Sequence, residues 1–312
     1  MKSKIIWLLV IVGGLLLLVY WGGSYYFSDI LIDSETATLA ESKARMERAG
    51  LPDLPAPEDV TIDAGEVTLS GFFYDNDRDG ECAVLILHGY TSTRYGALLY
   101  APLFWDRGCD MLVYDARGHG ASSDAYHTYG YHEKEDGLAA YQWLLDRTDL
   151  PPSQVGLAGV SYGAATVLQM LPLTPDVAFV LADSPYQDLL SIVNYQGPAQ
   201  FGNWVKLFIP GATLVAEMRA DFKVKEVSPK DAIRGTAVPV LLIHSTADEF
   251  IPYSHSEAIY ANGDPEIMEL HLTDWGSAHA RDIITDYDAY AQIVDAFLAE
   301  QAPGWGLKTG GR

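Results

Sequence analysis

Basic side chains are scarce in this chain: 20 Lys and Arg stand against 42 Asp and Glu, a formal charge of −22. A surface so acidic cannot neutralise phosphates along an interface, which argues against a nucleic-acid partner. Cysteine is nearly absent, with only Cys82 and Cys109. No metal-ligand spacing of His, Cys, Asp or Glu is present, so neither a metal nor an organic cofactor is expected. Internal repeats and low-complexity tracts are also missing. What remains is 312 residues, 49% of them hydrophobic, enough for one large core.

One apolar run is exceptional in length. Lys2 and Lys4 precede Ile5 to Trp21, which is apolar apart from Gly13 and Gly14, and Gly22 to Phe27 extends it without a charge. Such a run can cross a bilayer as a helix, and the lysines hold its start in the cytoplasm. Trp21, Tyr25, Tyr26 and Phe27 suit the far interface. A cleaved signal peptide, giving a secreted protein, is the rival. Against it, the apolar core is long and bulky residues occupy the place where small ones mark cleavage. The expectation is an uncleaved anchor over 1–27 in the cell membrane, single-pass, with the remaining chain outside the cytoplasm.

Export bears on the two cysteines. Each begins an apolar run six residues before a motif residue, His88 or Asp115. In neighbouring parallel strands the thiols would lie at one level, and a disulfide is chemically allowed outside the cytoplasm. The reading preferred on sequence is two small buried hydrophobes.

Residues 28–59 form a connector, with a helix over Ser34–Gly50 that the prolines at 52, 55 and 57 end. Over 60–301, apolar runs alternate with helical patterns. Strands are expected at Val60–Ile62, Glu66–Tyr74, Ala83–Leu87, Met111–Tyr114, Val155–Val160, Val177–Leu181, Val238–Ile243 and Ile267–Leu272. Helices are expected at Leu98–Arg107, Glu133–Arg147, after Ser161, and at Tyr287–Ala299. This alternation predicts an α/β fold, a mostly parallel central sheet flanked by helices, because parallel strands need crossovers. Residues 184–237 break the rhythm. They carry Phe201, Trp204, Leu207, Phe208 and Phe222 without a clear strand, and are read as a helical cap over the strand ends. Residues 302–312 are a C-terminal tail.

Motifs fall at the strand ends. Gly159-Val160-Ser161-Tyr162-Gly163 sits between a strand and a helix, so Ser161 is thrust up at a tight turn. His88-Gly89-Tyr90 follows another strand, and the backbone N–H groups of Tyr90 and Tyr162 are candidates for an oxyanion hole. Asp248 lies just beyond a third strand and His279 beyond a fourth. The order Ser161, Asp248, His279 is a triad order known for sheets of this kind. His88 is read as structural. His119, His127, His132 and His255 are read as too scattered for a metal site.

From about residue 60 to residue 300 the chain resembles the α/β-hydrolase superfamily, and most of all its membrane-anchored or secreted bacterial serine hydrolases with a small cap. The residues that carry the resemblance are His88-Gly89-Tyr90, Asp115 to Ser122, Gly159 to Gly163, Ala247-Asp248 with Pro252, and Gly276 to His279. It departs at Ser245, where many relatives have glycine. The resemblance implies that Asp115 and Arg117 pair with each other to hold their turn. It also implies a Ser161–His279–Asp248 triad that cleaves acyl esters through an acyl-enzyme, as a carboxylesterase does. A peptidase or amidase of the serine aminopeptidase type is the alternative, with an acyltransferase third and a non-catalytic surface binding protein last. The expected partner is accordingly a small acyl ester or a short peptide.

Overall fold

The computed structural model describes residues 2–77 and 81–306. Eight strands form one sheet: β1 (Glu58–Asp63), β2 (Thr68–Tyr74), β3 (Ala83–Leu87), β4 (Asp110–Tyr114), β5 (Val155–Val160), β6 (Val180–Asp183), β7 (Val240–Ser245) and β8 (Met268–Thr273). Their spatial order is β1-β2-β4-β3-β5-β6-β7-β8. β1 and β2 are antiparallel to each other and β2 to β4; every other pairing is parallel. β3 and β5, at the centre, are apolar at every position because both faces of the sheet are covered. In β3, Ala83, Leu85 and Leu87 pack under the helices Glu133–Thr148 and Tyr162–Met170, while Val84 and Ile86 face Phe104, Tyr290 and Phe297 on the other side. Each such burial contributes about 1.5–3 kcal/mol.

Several elements differ from expectation at their ends. The stretch Leu98–Arg107 is not one helix. It divides into a 3₁₀ turn (Leu98–Tyr100) and a short helix (Pro102–Trp105), since Pro102 has no N–H to continue the ladder. The helix expected from Ser34 starts later. Helix α2 (Leu39–Ala49) is capped by Thr38, whose side chain accepts from the Glu41 N–H while Glu41 reaches back to the Thr38 N–H, and it ends at left-handed Gly50. The described part of the C-terminal tail is packed: Trp305 donates to the Gln154 carbonyl at 2.9 Å and meets Phe179 edge-on. The rest of that tail, 307–312, lies outside the described residues.

Helix α1 (Lys2–Ile32) runs unbroken through the apolar segment and beyond residue 27. It is long and apolar enough to cross a membrane, with a mean hydropathy of 2.5. From Ile5 to Val19 its side chains are almost all exposed. Further on, Ser24, Ser28 and Ile32, four residues apart, are fully buried. They form one helical face that packs along the helix Ile209–Ala220, where Gly211 approaches Ser24 and Arg219 pairs with Asp29 at 2.8 Å.

The preferred reading of the cysteines is corrected: Cys82 and Cys109 are joined in a disulfide. The cause is strand register. Ala83 pairs with Asp110, so the residue before each strand faces its counterpart, with Cα atoms 4.7 Å apart, inside the range a disulfide spans.

Candidate active site

Ser161 stands between β5 and the helix Tyr162–Met170 with φ 55° and ψ −112°, a strained conformation for a residue with a side chain. Sterics hold it there. A Cβ at Gly163 would lie 2.4 Å from the Leu87 carbonyl oxygen, and one at Gly159 would lie 2.5 Å from the Gly163 backbone. Strand and helix can therefore close behind the serine only with glycine at both positions. The Ser161 N–H donates to the Asp183 carbonyl at 2.7 Å and ties the turn to β6.

Three side chains distant in sequence form one hydrogen-bonded chain. Ser161 Oγ lies 2.9 Å from His279 Nε2, and His279 Nδ1 lies 2.6 Å from Asp248 Oδ2. The carboxylate accepts only, so Nδ1 carries the proton and Nε2 is free to accept from the serine. Asp248 Oδ1 accepts from the Phe250 and Ile251 N–H groups, each at 2.9 Å. Burial opposes charge on Asp248, but hydrogen bonds from His244 and His279, the field of His279 and the Ile251 N–H outweigh it. The carboxyl is held well below its ordinary range.

Two supports were not anticipated from sequence. His244, at the end of β7, is fully buried and reaches Asp248 Oδ2 at 3.2 Å and the Ile251 carbonyl at 2.8 Å through Nε2, with Nδ1 accepting from the Ser256 hydroxyl at 2.7 Å. Ser245, the departure from glycine, donates to the Ser277 carbonyl at 2.7 Å and accepts from the Ala247 N–H. It fastens the loop carrying His279 to the loop carrying Asp248. The only sequence hint of either was a His-Ser pair at a strand end.

Gly89 lies against Ser161: a Cβ there would be 3.6 Å from the Ser161 Cβ. This brings the β3 turn, with Tyr90, beside the serine. Neither the Tyr90 nor the Tyr162 N–H has a hydrogen-bond partner among the described residues. Both Tyr side chains are anchored. Tyr162 donates to Glu133 at 2.8 Å, and the Tyr90 hydroxyl meets His127 Nδ1 at 3.1 Å. Buried Glu133 also accepts from the Thr128 and Gly130 N–H groups at 2.7 Å each, a role for which its sequence context carries no signal.

The expected Asp115–Arg117 pair does not form. Asp115 instead pairs with Arg94 at 2.7 Å, and Arg117 pairs with Asp136 at 2.6 Å. The chain turns between them, so Asp115 faces the start of the short helix Arg94–Ala97 while Arg117 faces the helix Glu133–Thr148. His119 and His127 pack on each other, with ring centroids 4.5 Å apart, and His88 lies 5.1 Å from His119. Burial lowers the pKa of all three. His88 accepts from the Ala116 N–H and contacts the Gly89 carbonyl, and His119 accepts from the Thr91 N–H. They brace the β3 turn. His132 donates to the carbonyls of Ala220 and Asp221, and His255 accepts from the Gln187 N–H.

A cavity of about 260 Å³ opens above Ser161. Tyr90, Tyr162 and Tyr186 line it together with Leu189, Ile192 and Val205 from the helical segment between β6 and β7, and no side chain lining it is charged.

The fold has counterparts in known proteins. A model of the prolyl oligopeptidase family matches residues 98–266, and the chain belongs to that family. The matched stretch includes Ser161 and Asp248 and ends before His279. The chain is 30% identical over 217 residues to the uncharacterised protein YqkD of Bacillus subtilis, covering 69% of this chain and 70% of that protein. An esterase from Pyrococcus furiosus superposes with a TM-score of 0.64 at 24% identity, over 79% of this chain and 93% of its own. An acylaminoacyl peptidase from Pyrococcus horikoshii gives 0.60 at 15% identity, over 82% and 43%. The architecture is the α/β-hydrolase fold, and the protein is a hydrolase.

Proposed function

We propose that the protein is a serine hydrolase that cleaves neutral acyl esters through an acyl-enzyme. The observation that carries this reading is the Ser161–His279–Asp248 chain at the mouth of an uncharged, largely apolar cavity. Ser161 Oγ attacks the ester carbonyl as His279 Nε2 takes its proton. Asp248 holds the tautomer and stabilises the imidazolium. The Tyr90 and Tyr162 N–H groups receive the oxyanion, a device whose loss costs about 3–4 kcal/mol per donor. His279 then returns the proton to the leaving alcohol, and a water deprotonated by the same imidazole releases the acid.

Amide or peptide hydrolysis is the second reading, favoured by the family match. The cavity's lining argues against it, because a charged peptide terminus would be buried without a partner. The location we propose follows the charge of the N-terminus: Lys2 and Lys4 in the cytoplasm, α1 as the anchor, the hydrolase domain with its cap over 184–237 outside. The Cys82–Cys109 disulfide suits that oxidising side.

The test is a fluorophosphonate probe with the full-length protein, followed by 4-nitrophenyl butanoate and an aminoacyl 4-nitroanilide. The native protein should be labelled and turn over the ester faster than the anilide, and Ser161→Ala should lose both. Labelling that persists in Ser161→Ala would assign the nucleophile elsewhere.

A further inference from the structure

The cavity above Ser161 has a wall that the hydrolase domain does not supply. Phe27, Ile30, Leu31 and Ser34 line it, and their spacing of three, one and three residues is one face of a helix. They lie at and just beyond the end of α1, the helix whose first part is bare and apolar. We infer that the substrate is a membrane-borne ester whose acyl chain leaves the bilayer between α1 and the cap and runs along this face to Ser161. The inference rests on the serine-hydrolase reading and adds the substrate class and its route.

The contacts between α1 and the cap set the direction. Tyr20 stacks on Phe208, Gly23 lies under the same ring, Ser24 meets Gly211, and Asp29 pairs with Arg219. The two helices therefore run in the same sense, with the Trp204–Phe208 turn nearest the apolar span. In that turn Trp204 is 59% and Leu207 67% exposed, beside exposed Lys206. An uncovered Trp and Leu flanked by Lys, in a turn where Trp204 packs on Phe27 and Phe208 on Tyr20, are suited to a membrane–water interface. The occupant of this apolar edge is the bilayer, because it continues the apolar surface of α1 without a break.

Length fits as well. From Phe27 to Leu31 the helix rises about 6 Å, and Ser34, past the helix end, continues the wall. A chain of C–C bonds of about 1.5 Å advances about 1.25 Å per methylene, so the helical part of the wall alone matches about five carbons. Hydrolysis needs only water: the acyl–oxygen bond breaks, water supplies the hydroxyl of the free acid, and the alcohol leaves with the proton.

The experiment uses full-length protein in vesicles of phosphatidylethanolamine and phosphatidylglycerol, with 4-nitrophenyl esters of two to twelve carbons and with monodecanoylglycerol in the bilayer. The expected kcat/KM rises roughly threefold to fourfold per methylene to beyond five carbons. Ile30→Trp, or independently Gly197→Phe on the cap side, should cut the decanoate-to-butanoate ratio at least tenfold while fluorophosphonate still labels Ser161. Trp204→Glu with Leu207→Glu, outside the cavity, should slow cleavage of bilayer monodecanoylglycerol at least fivefold without changing 4-nitrophenyl butanoate turnover. Equal rates for butanoate and decanoate in a labelled, active protein would overturn the inference and leave the hydrolase reading intact. Faster cleavage of dispersed than of bilayer-embedded ester would overturn the membrane route. Absence of labelling and of all ester turnover would remove both.

Discussion

Replacing Asp248 by Asn tests the proposed mechanism at its most constrained point. Four donors converge on the Asp248 carboxylate: His279 at 2.6 Å and His244 at 3.2 Å on Oδ2, and the Phe250 and Ile251 N–H groups at 2.9 Å on Oδ1. Asparagine has the same shape and one acceptor oxygen. If that oxygen keeps the two backbone donors, its NH₂ faces the two imidazoles. His279 must then carry its proton on Nε2, where it cannot accept from Ser161. Loss of the tautomer in a triad typically lowers kcat by about 10⁴-fold, about 5 kcal/mol of barrier. The backbone bonds survive, so the thermal midpoint should move little. Hydrolysis of 4-nitrophenyl butanoate and the rate of fluorophosphonate labelling should fall together, against an unchanged near-UV dichroism spectrum. A loss of less than tenfold with the fold intact would refute the role given to Asp248.

Other perturbations reach the scaffold. The disulfide closes a sequence separation of 27 residues, worth about 3.5 kcal/mol on a chain-entropy account. Cys82→Ala with Cys109→Ala should therefore melt about 5 °C lower by calorimetry, and an unchanged midpoint would show that strand pairing alone holds this part of the sheet. Gly163→Ala drives a Cβ to 2.4 Å from the Leu87 carbonyl. It should cost about 3 kcal/mol or more and abolish labelling at Ser161, whereas normal labelling would contradict the close packing. Burial pushes the His255 pKa down to about 4. The folded state thus binds fewer protons than the unfolded chain between that value and about 6.5, and stability present at neutral pH is lost as pH falls through this window. His255→Gln should flatten the decline in urea stability by about 1–3 kcal/mol after allowance for solvent screening, and parallel wild-type and variant curves would exclude that contribution.

Much of the architecture is local chemistry. Continuous apolar runs such as Ala83–Leu87 become buried strands because nothing in them tolerates water, and β3 and β5 match their expected limits. Gly159 and Gly163 specify a tight strand-to-helix turn because any larger residue would strike backbone. Where a short-range rule competed, a boundary moved. Thr38 with Glu41 set the start of α2 later than hydrophobic pattern did, and Pro102 broke a stretch that reads as one helix. Partnerships were a different matter. Asp115 meets Arg94 and not Arg117, Cys82 meets Cys109, and His244 stands behind Asp248, each because strand order and register bring together residues that share no local pattern. The same holds for the face of α1 that walls the cavity, whereas Ser161, His279 and Asp248 are named together in the sequence by the order of their strand-end motifs, and packing supplies their distances. Periodicity along a chain reports which side of an element is apolar. What that side touches is settled only when the elements pack, because non-local contacts follow from topology and not from spacing.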